Sequence, residues 1–222
     1  MKLLQSILFT VLFTSLSTLL PAQQINWKAL QPSQRHIVNL NVGFDNATTI
    51  GIGYGYHFNT KMPLVLNVEY SMPAGKDIFD EMKTKIGGQL NIVHTNNFYT
   101  TVKAYGIIRR FENDFARMVN FGSEFSAVAG YYKQKWFTAA EFGFDKAIVT
   151  HIKHSDLMKE YNPGLKSGWY LPTGGNFFYG VQGGYSFKNS DVFARVGKTV
   201  AQDFKTSSLI PYYFQVGWAV KW

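Results

Sequence analysis

Apolar and polar residues alternate with a period of two along most of this chain, and that alternation limits its fold more than any other feature. Between positions 50 and 58, even-numbered residues are isoleucine, tyrosine or phenylalanine, whereas odd-numbered ones are glycine or histidine. Residues 212–222 repeat the pattern with Tyr, Phe, Val, Trp, Val and Trp at even positions. Because successive side chains of a strand point to opposite faces, each such segment predicts a strand with one apolar face.

Ten such segments follow one another between His36 and Trp222. The links after the second, fourth, sixth and eighth segments are short, whereas those after the third, fifth, seventh and ninth are longer. Strands of about ten residues can cross a bilayer when tilted, and short periplasmic turns alternating with longer outer loops are typical of bacterial membrane barrels. We predict an all-β fold, an antiparallel transmembrane β-barrel of ten strands with periplasmic N- and C-termini. An eight-stranded barrel and a soluble sandwich or lipocalin-like cup are the alternatives.

The beginning of the chain has the features of an export signal. Lys2 precedes the apolar residues 3–20, and Ala22 supplies the small residue that signal peptidase requires. We therefore expect a cleaved signal peptide at residues 1–22, a short periplasmic segment at 23–35 and the barrel at 36–222. An N-terminal membrane anchor is the alternative, although hydroxyl residues interrupt the apolar run.

Composition restricts the chemistry that this chain can perform. It contains no cysteine, which excludes thiolate metal sites and cysteine nucleophiles. Its net charge of +8 comes from Lys and Arg residues spread along the sequence rather than clustered, which disfavours nucleic-acid binding. The net positive charge is better explained by attraction to anionic lipid head groups or to an acidic partner than by binding of nucleic acid.

The last strand ends in an aromatic residue, Trp222, after the alternating residues 214–221. Together with the signal peptide and the other strands, this ending resembles the general class of small outer-membrane β-barrel proteins of Gram-negative bacteria. The resemblance covers the whole mature chain and implies location in the cell outer membrane. It also implies that the barrel-insertion machinery reads the C-terminal strand.

If the apolar faces meet lipid, the alternate positions line the lumen. Nine charged residues of both signs occupy such positions: Glu69, Lys83, Lys85, Lys103, Arg109, Glu124, Glu141, Asp145 and Arg195. Counting from the hairpin centres places Glu69 opposite Lys85 and Lys103 opposite Glu124 to within about one residue. A ten-stranded barrel is only slightly wider than the eight-stranded size that side chains fill. We expect a largely plugged, charge-paired lumen, with a narrow channel for small solutes as the alternative.

Amphipathic aromatic rings prefer the depth of the membrane interfaces. Aromatic residues near the predicted strand ends are therefore candidates for two interface girdles. The candidates are Trp136, Trp169, Tyr170, Tyr212, Trp218 and Trp222, with Tyr131, Tyr132 and Tyr213 beside them.

The longest predicted loop, residues 151–175, holds the weak candidates for catalysis His151, His154, Ser155 and Asp156. A histidine and serine before an Asn-Pro stretch are similar to the outer-membrane lipid A deacylases, but the adjacent His154 and Ser155 do not reproduce that family's spacing. An omptin-like set would need Asp77 and Asp80 beside His151 and Asp156. A metal site on His151 and His154 lacks further ligands. Leu157 and Met158 predict one helical turn capped by Ser155 or Asp156.

The sequence thus favours a non-enzymatic barrel with a structural, partner-binding or accessory role. An outer-membrane hydrolase, lipid A deacylase-like or omptin-like, is the alternative together with the channel. No cofactor and no metal are expected. The expected partners are outer-membrane lipid, lipopolysaccharide, the insertion machinery and a protein bound through the outer loops.

Overall fold

The computed structural model of this chain describes residues 24–45, 47–74, 81–172, 174–204 and 211–222. These residues form eleven strands and one short helix. The elements are β1 (His36–Asp45), β2 (Ala47–Phe58), β3 (Leu64–Pro73), β4 (Glu81–Thr95), β5 (Phe98–Glu112), β6 (Ala116–Tyr132), β7 (Trp136–His154), α1 (Asp156–Tyr161), β8 (Gly168–Tyr170), β9 (Gly175–Ser186), β10 (Ser190–Ala201) and β11 (Tyr212–Lys221).

Ten antiparallel strands close into a ring. Each strand from β1 to β7 pairs with the next, β7 pairs with β9, and β9 continues through β10 to β11. Pairing of β1 with β11, from Ile37 opposite Lys221 to Phe44 opposite Phe214, closes the barrel. The three-residue β8 pairs only with β7. The predicted ten-stranded barrel is confirmed, and the eight-stranded alternative is wrong.

The barrel has two distinct ends. The short links after β2, β4, β6 and β9 lie at one end, together with the start of β1 and the end of β11. We call this the turn end and the opposite one the loop end. Residues 75–80, which contain Asp77 and Asp80, lie outside the described residues, as do 1–23 with the predicted signal peptide.

Burial alternates along the strands as the sequence pattern predicts. Outward-facing Leu40, Ile52 and Phe142 are about half exposed, whereas Asn39 and Glu141 on the other face are buried. The large apolar side chains thus lie on the outside of the barrel and the polar ones on the inside. This distribution is the reverse of that in a water-soluble protein and matches a surface solvated by lipid. We call this outer surface the apolar belt. Among the described residues, no helix is long and apolar enough to cross a membrane.

The strands at the loop end extend further than the sequence indicates. β6 has 17 residues and β7 has 19, so β7 runs to His154, five residues beyond its predicted end at position 149. A register shift between Phe121 and Gly122 lies within this hairpin. Much of the predicted 151–175 loop is therefore sheet and helix. The predicted helical turn is present as α1, where Ser155 Oγ accepts a hydrogen bond from Met158 N at 3.3 Å.

Candidate functional site

The barrel lumen gathers the charged residues that alternation assigns to the inner face. The structure places all nine predicted lumen charges inside the barrel, each less than 9% exposed. Burying a charge costs free energy unless an opposite charge or hydrogen bonds compensate it. The partners of these residues therefore decide what the lumen can do.

Lys85 bridges the lumen rather than pairing with its neighbouring strand. It lies on β4 opposite Glu69, as the hairpin count predicts. Its Nζ, however, lies 2.5 Å from the Glu124 Oε2 atom on β6. Glu69 accepts a hydrogen bond at 2.9 Å from Asn67 Nδ2. The mid-lumen charges thus connect strands that are not adjacent in the sheet.

The predicted pairing of Lys103 with Glu124 is wrong by two positions. Lys103 lies opposite Ser126, and Glu124 lies opposite Tyr105. The reason is local to the β5–β6 turn, where Asn113 Oδ1 accepts hydrogen bonds from the backbone N–H groups of Phe115 and Ala116. This Asx-type turn moves the hairpin centre towards position 115.

Asp145 on β7 is shared by two cations. Both of its carboxylate oxygens accept hydrogen bonds from Arg109 NH2, and Lys83 Nζ lies 3.6 Å from Oδ2. Arg109 also donates through NH1 to Asn120 Oδ1 at 2.8 Å. We call Lys83, Lys85, Arg109, Glu124 and Asp145 the lumen ion network. It joins β4, β5, β6 and β7 across one side of the interior.

A second buried group lies on the other side of the lumen. Arg195 on β10 forms an ion pair with Glu141 on β7, and Tyr213 on β11 donates a hydrogen bond to the same carboxylate at 2.7 Å. The Arg195 guanidinium carbon lies 4.6 Å from the centre of the Tyr213 ring. These contacts span three strands and supply Glu141 with a cation and a hydrogen-bond donor.

Sequence reasoning missed one buried pair at the turn end. Lys221 Nζ lies 2.8 Å from Asp191 Oδ1, and both residues are 1% exposed. Neither residue is among the nine charges that alternation assigns to the lumen from the sequence. The signal was available, because Asp191 has the same parity on its strand as Arg195, whose inward position follows from the sequence.

The segment 24–35, which we call the N-terminal plug, enters the turn end of the lumen. Ile25 and Trp27 belong to a buried apolar cluster that includes Tyr132 and Phe137 on the inner wall. Asn26, fully buried, donates through Nδ2 to Ser186 Oγ at 2.7 Å and to Lys133 O at 2.9 Å. The sequence predicts only a periplasmic segment here and does not predict that it enters the barrel.

The lumen also holds polar atoms without a protein partner. Gln182, Arg195 and Gln215 are cross-strand neighbours in one row. Gln182 Oε1, Arg195 NH1 and both side-chain polar atoms of Gln215 have no hydrogen-bond partner among the described residues. Buried polar atoms of this kind are normally satisfied by water. This row is therefore a place in the lumen where water would complete the hydrogen bonding.

The weak catalytic candidates do not converge. His151 faces outward on β7 against the Trp169 ring at 4.9 Å, whereas His154 faces inward and is buried. Ser155 caps α1, and Asp156 is exposed and pairs with Lys159. Residues that are three apart on a strand point to opposite faces. The spacing of His151 and His154 would let both bind one metal ion on a helix, but it separates them on β7. Within the described ranges, no three metal-ligating side chains cluster.

The aromatic candidates divide between the two faces. Trp136, Trp169, Tyr212, Trp218 and Trp222 are exposed on the outside. Three of the other four require correction: Tyr132 and Tyr213 line the lumen, and Tyr170 packs on an inner cluster with Met118 and Ile152. Each follows or precedes an outward residue on its strand, so alternation places it inside. Tyr131 faces outward beside Trp136, with the ring centres 5.8 Å apart.

A charged group lies outside the barrel at the loop end, beyond the apolar belt. Glu112 accepts hydrogen bonds from Arg117 Nε at 2.9 Å and NH2 at 2.7 Å, and it also pairs with Arg110 NH2. The hydrogen bonds from Arg117 and Arg110 lower the pKa of Glu112 to about 2. The carboxylate is therefore ionised at every physiological pH and holds both guanidinium groups in place.

Comparison with known proteins gives similarity in fold alone. No protein-family model matches the chain, and no curated protein matches it by sequence. Two solved structures, of the KdgM porin and of the KdgM porin in complex with disordered oligogalacturonate, cover 84% of this chain and 99% of theirs. Both have 10% sequence identity to it and a TM-score of 0.42. The described strands themselves show a closed, ten-stranded antiparallel β-barrel.

Proposed function

We propose that this protein is an outer-membrane barrel with a plugged lumen, whose role is structural or partner-binding and is exercised at its loop end. One observation carries the proposal: Trp27 and Ile25 of the N-terminal plug pack in a buried apolar cluster on the inner wall at the turn end. A pore that exchanges solutes freely needs a continuous wet path, and an apolar cluster interrupts it. The lumen ion network supports the same conclusion, because its charges are paired with one another.

Location in the outer membrane and assembly by the insertion machinery belong to the same proposal. The apolar belt gives the barrel an outer surface suited to lipid. Trp222, directly after β11, is half exposed and stacks on His36 with ring centres 5.7 Å apart. An aromatic C-terminus of this kind is accessible to a recognition factor while β11 is still unpaired.

A narrow channel is the second candidate, and the row Gln182–Arg195–Gln215 favours it. Polar atoms that lack protein partners indicate a water-filled section of the lumen. If the plug can leave the turn end, this section becomes part of a path. The N-terminal plug would then act as a gate rather than as a permanent seal.

Conductance in planar bilayers distinguishes the two candidates. We expect the refolded chain lacking residues 1–22 to insert without steady conductance, and Trp27→Ala to remain silent. Lys28→Ala is the matched control, since Lys28 belongs to the same segment but its side chain is exposed. Steady conductance of the unsubstituted protein would overturn the plugged-barrel proposal. Conductance in Trp27→Ala alone would replace it with the gated channel.

A further inference from the structure

The outer surface of β5, β6 and β7 changes from apolar to basic within two residues at the loop end. Ile108, Phe121 and Val149 are cross-strand partners and form an apolar row at the end of the belt. Two residues further along each strand, the outward residues are Arg110, Val119 and His151, which are again partners across the sheet. The next outward row is Glu112, Arg117 and Lys153.

These two rows carry an excess of positive charge. Arg110, Arg117 and Lys153 contribute three cations, and Glu112 contributes one anion that both arginines contact. Lys153 is exposed and has no ion pair or side-chain hydrogen bond within the described part of the chain. The surface therefore keeps a net charge of +2 before any contribution from His151.

An exposed tryptophan lies beside the charges. Trp169 is the partner of His151 across the β7–β8 pairing and is 62% exposed. Its ring contacts His151 edge-on at 4.9 Å and lies 6.2 Å from the ring of Phe121. Tryptophan prefers the depth at which acyl chains meet head groups. We call Arg110, Arg117, His151, Lys153 and Trp169 the basic rim.

We propose that the basic rim is a binding site for the phosphorylated head group of a membrane lipid of the lipopolysaccharide type. Guanidinium and ammonium groups match phosphate in charge and in hydrogen bonding, and arginine can bind it through two parallel hydrogen bonds. The head group would lie against the two charged rows, while its acyl chains would run along Ile108 and Phe121. The cations lie directly beyond the apolar belt, where a lipid can place its head group on them and its acyl chains on the belt. This position favours a lipid over a soluble anion as the ligand.

Among the described residues, the outward face of β9, β10 and β11 at the loop end lacks this arrangement and provides a matched control. Lys198 faces outward on β10, where its cross-strand neighbours are Tyr179 and Tyr212. It is a single cation, and its Nζ lies 5.9 Å from the centre of the Tyr212 ring. A lone lysine attracts anionic lipid by charge alone, whereas the basic rim supplies several donors at one place.

The test is native mass spectrometry of the refolded protein with bisphosphorylated lipid A in detergent micelles, beside the same lipid with both phosphates removed. Each cation near an anionic membrane surface contributes about 1 kcal/mol, which is about a fivefold change in affinity. We expect Lys153→Gln to weaken binding about fivefold and Arg117→Gln with Lys153→Gln about twenty-five-fold. Lys198→Gln should have no more than a twofold effect.

Three outcomes would overturn the proposal. Equal binding of lipid A with and without phosphates would show that acyl chains alone are recognised. Equal losses in Lys153→Gln and Lys198→Gln would show that net charge acts without a site. Binding of polyglutamate in place of lipid A, lost in the double variant, would assign the basic rim to an acidic protein. Heat-modifiable migration on SDS gels checks that every variant is folded.

Discussion

Asp145 compensates two buried cations, Arg109 and Lys83, and this makes it the most consequential single residue of the lumen. Removing one partner of a buried ion pair leaves an uncompensated charge and typically costs about 3–5 kcal/mol. We expect Asp145→Ala to lower the free energy of unfolding by about that amount. Equilibrium unfolding in urea, in lipid vesicles, measures it.

The control for that variant is Asp156→Ala, because Asp156 is fully exposed and pairs only with Lys159. Its free energy of unfolding should stay unchanged, since exposed pairs contribute little. Equal stability of the Asp145 and Asp156 variants would mean that water compensates the lumen cations without Asp145.

Gly197 on β10 makes room for an aromatic ring. A Cβ atom added there would lie 2.3 Å from Tyr213 Cζ and 2.4 Å from the Tyr179 carbonyl oxygen. Gly197→Ala must displace the ring that hydrogen-bonds to Glu141, and overpacking of this kind costs about 1–3 kcal/mol. The same urea titration measures the loss.

Gly164→Ala is the control, because its nearest non-neighbouring atom is Asn162 Oδ1 at 3.6 Å from the added Cβ. If Gly197→Ala were as stable as Gly164→Ala, the inner wall near Tyr213 would be looser than the structure indicates.

At the scale of elements, the N-terminal plug is held by few specific contacts. Asn26 supplies two of them, to Ser186 and to the backbone of Lys133. We expect Asn26→Ala to speed amide hydrogen exchange in residues 24–30 at least fivefold, because losing buried hydrogen bonds costs about 1–3 kcal/mol. Exchange in β1 to β11 should not change.

Gln31→Ala is the matched control in the same segment, since the Gln31 side chain is exposed. Faster exchange throughout the barrel in Asn26→Ala would show that the plug is part of the cooperative fold rather than a separately opening element.

The sequence predicts where most strands lie and which side chains face the lumen. It does so because the outer face of each strand contacts lipid and the inner face carries charges, which forces apolar and polar residues to alternate. Lys83 and Arg195 illustrate this, since parity alone places them in the lumen. Strand ends could not be predicted where the sheet continues beyond the membrane, as for β7, because the lipid no longer selects apolar residues there. The entry of Trp27 into the barrel was missed for a related reason: a plug has no period to recognise.

At the scale of the whole molecule, the pairing of the first strand with the last defines the closed barrel. Leu40 on β1 lies opposite Trp218 on β11, and Trp218 lies opposite Val192 on β10. Because the chain has no cysteine, any disulfide that forms must join the introduced cysteines. We expect copper-catalysed oxidation to link Leu40→Cys with Trp218→Cys, since directly opposite Cβ atoms lie about 4.5–5.5 Å apart.

The control pair is Leu40→Cys with Val192→Cys, which lies two strands away at a separation of about 10 Å. The Cβ atoms of a disulfide lie about 3.5–4.5 Å apart. The opposite pair reaches that separation by a small movement of the strands, whereas the control pair is too far apart and should stay reduced. Efficient linkage of the control pair, or none in the opposite pair, would contradict the register of closure.

The N-terminal plug also fixes an order of events during assembly. Its side chains bond to backbone or side-chain atoms at Asn96, Lys133, Ser186 and Lys188, which lie 68 to 160 residues further along the chain. Those positions sit at the turns after β4, β6 and β9, so the docking surface exists only when the ring is complete. The segment that precedes every strand in the sequence therefore takes its place after them, and a seated plug is the mark of a barrel that has finished folding.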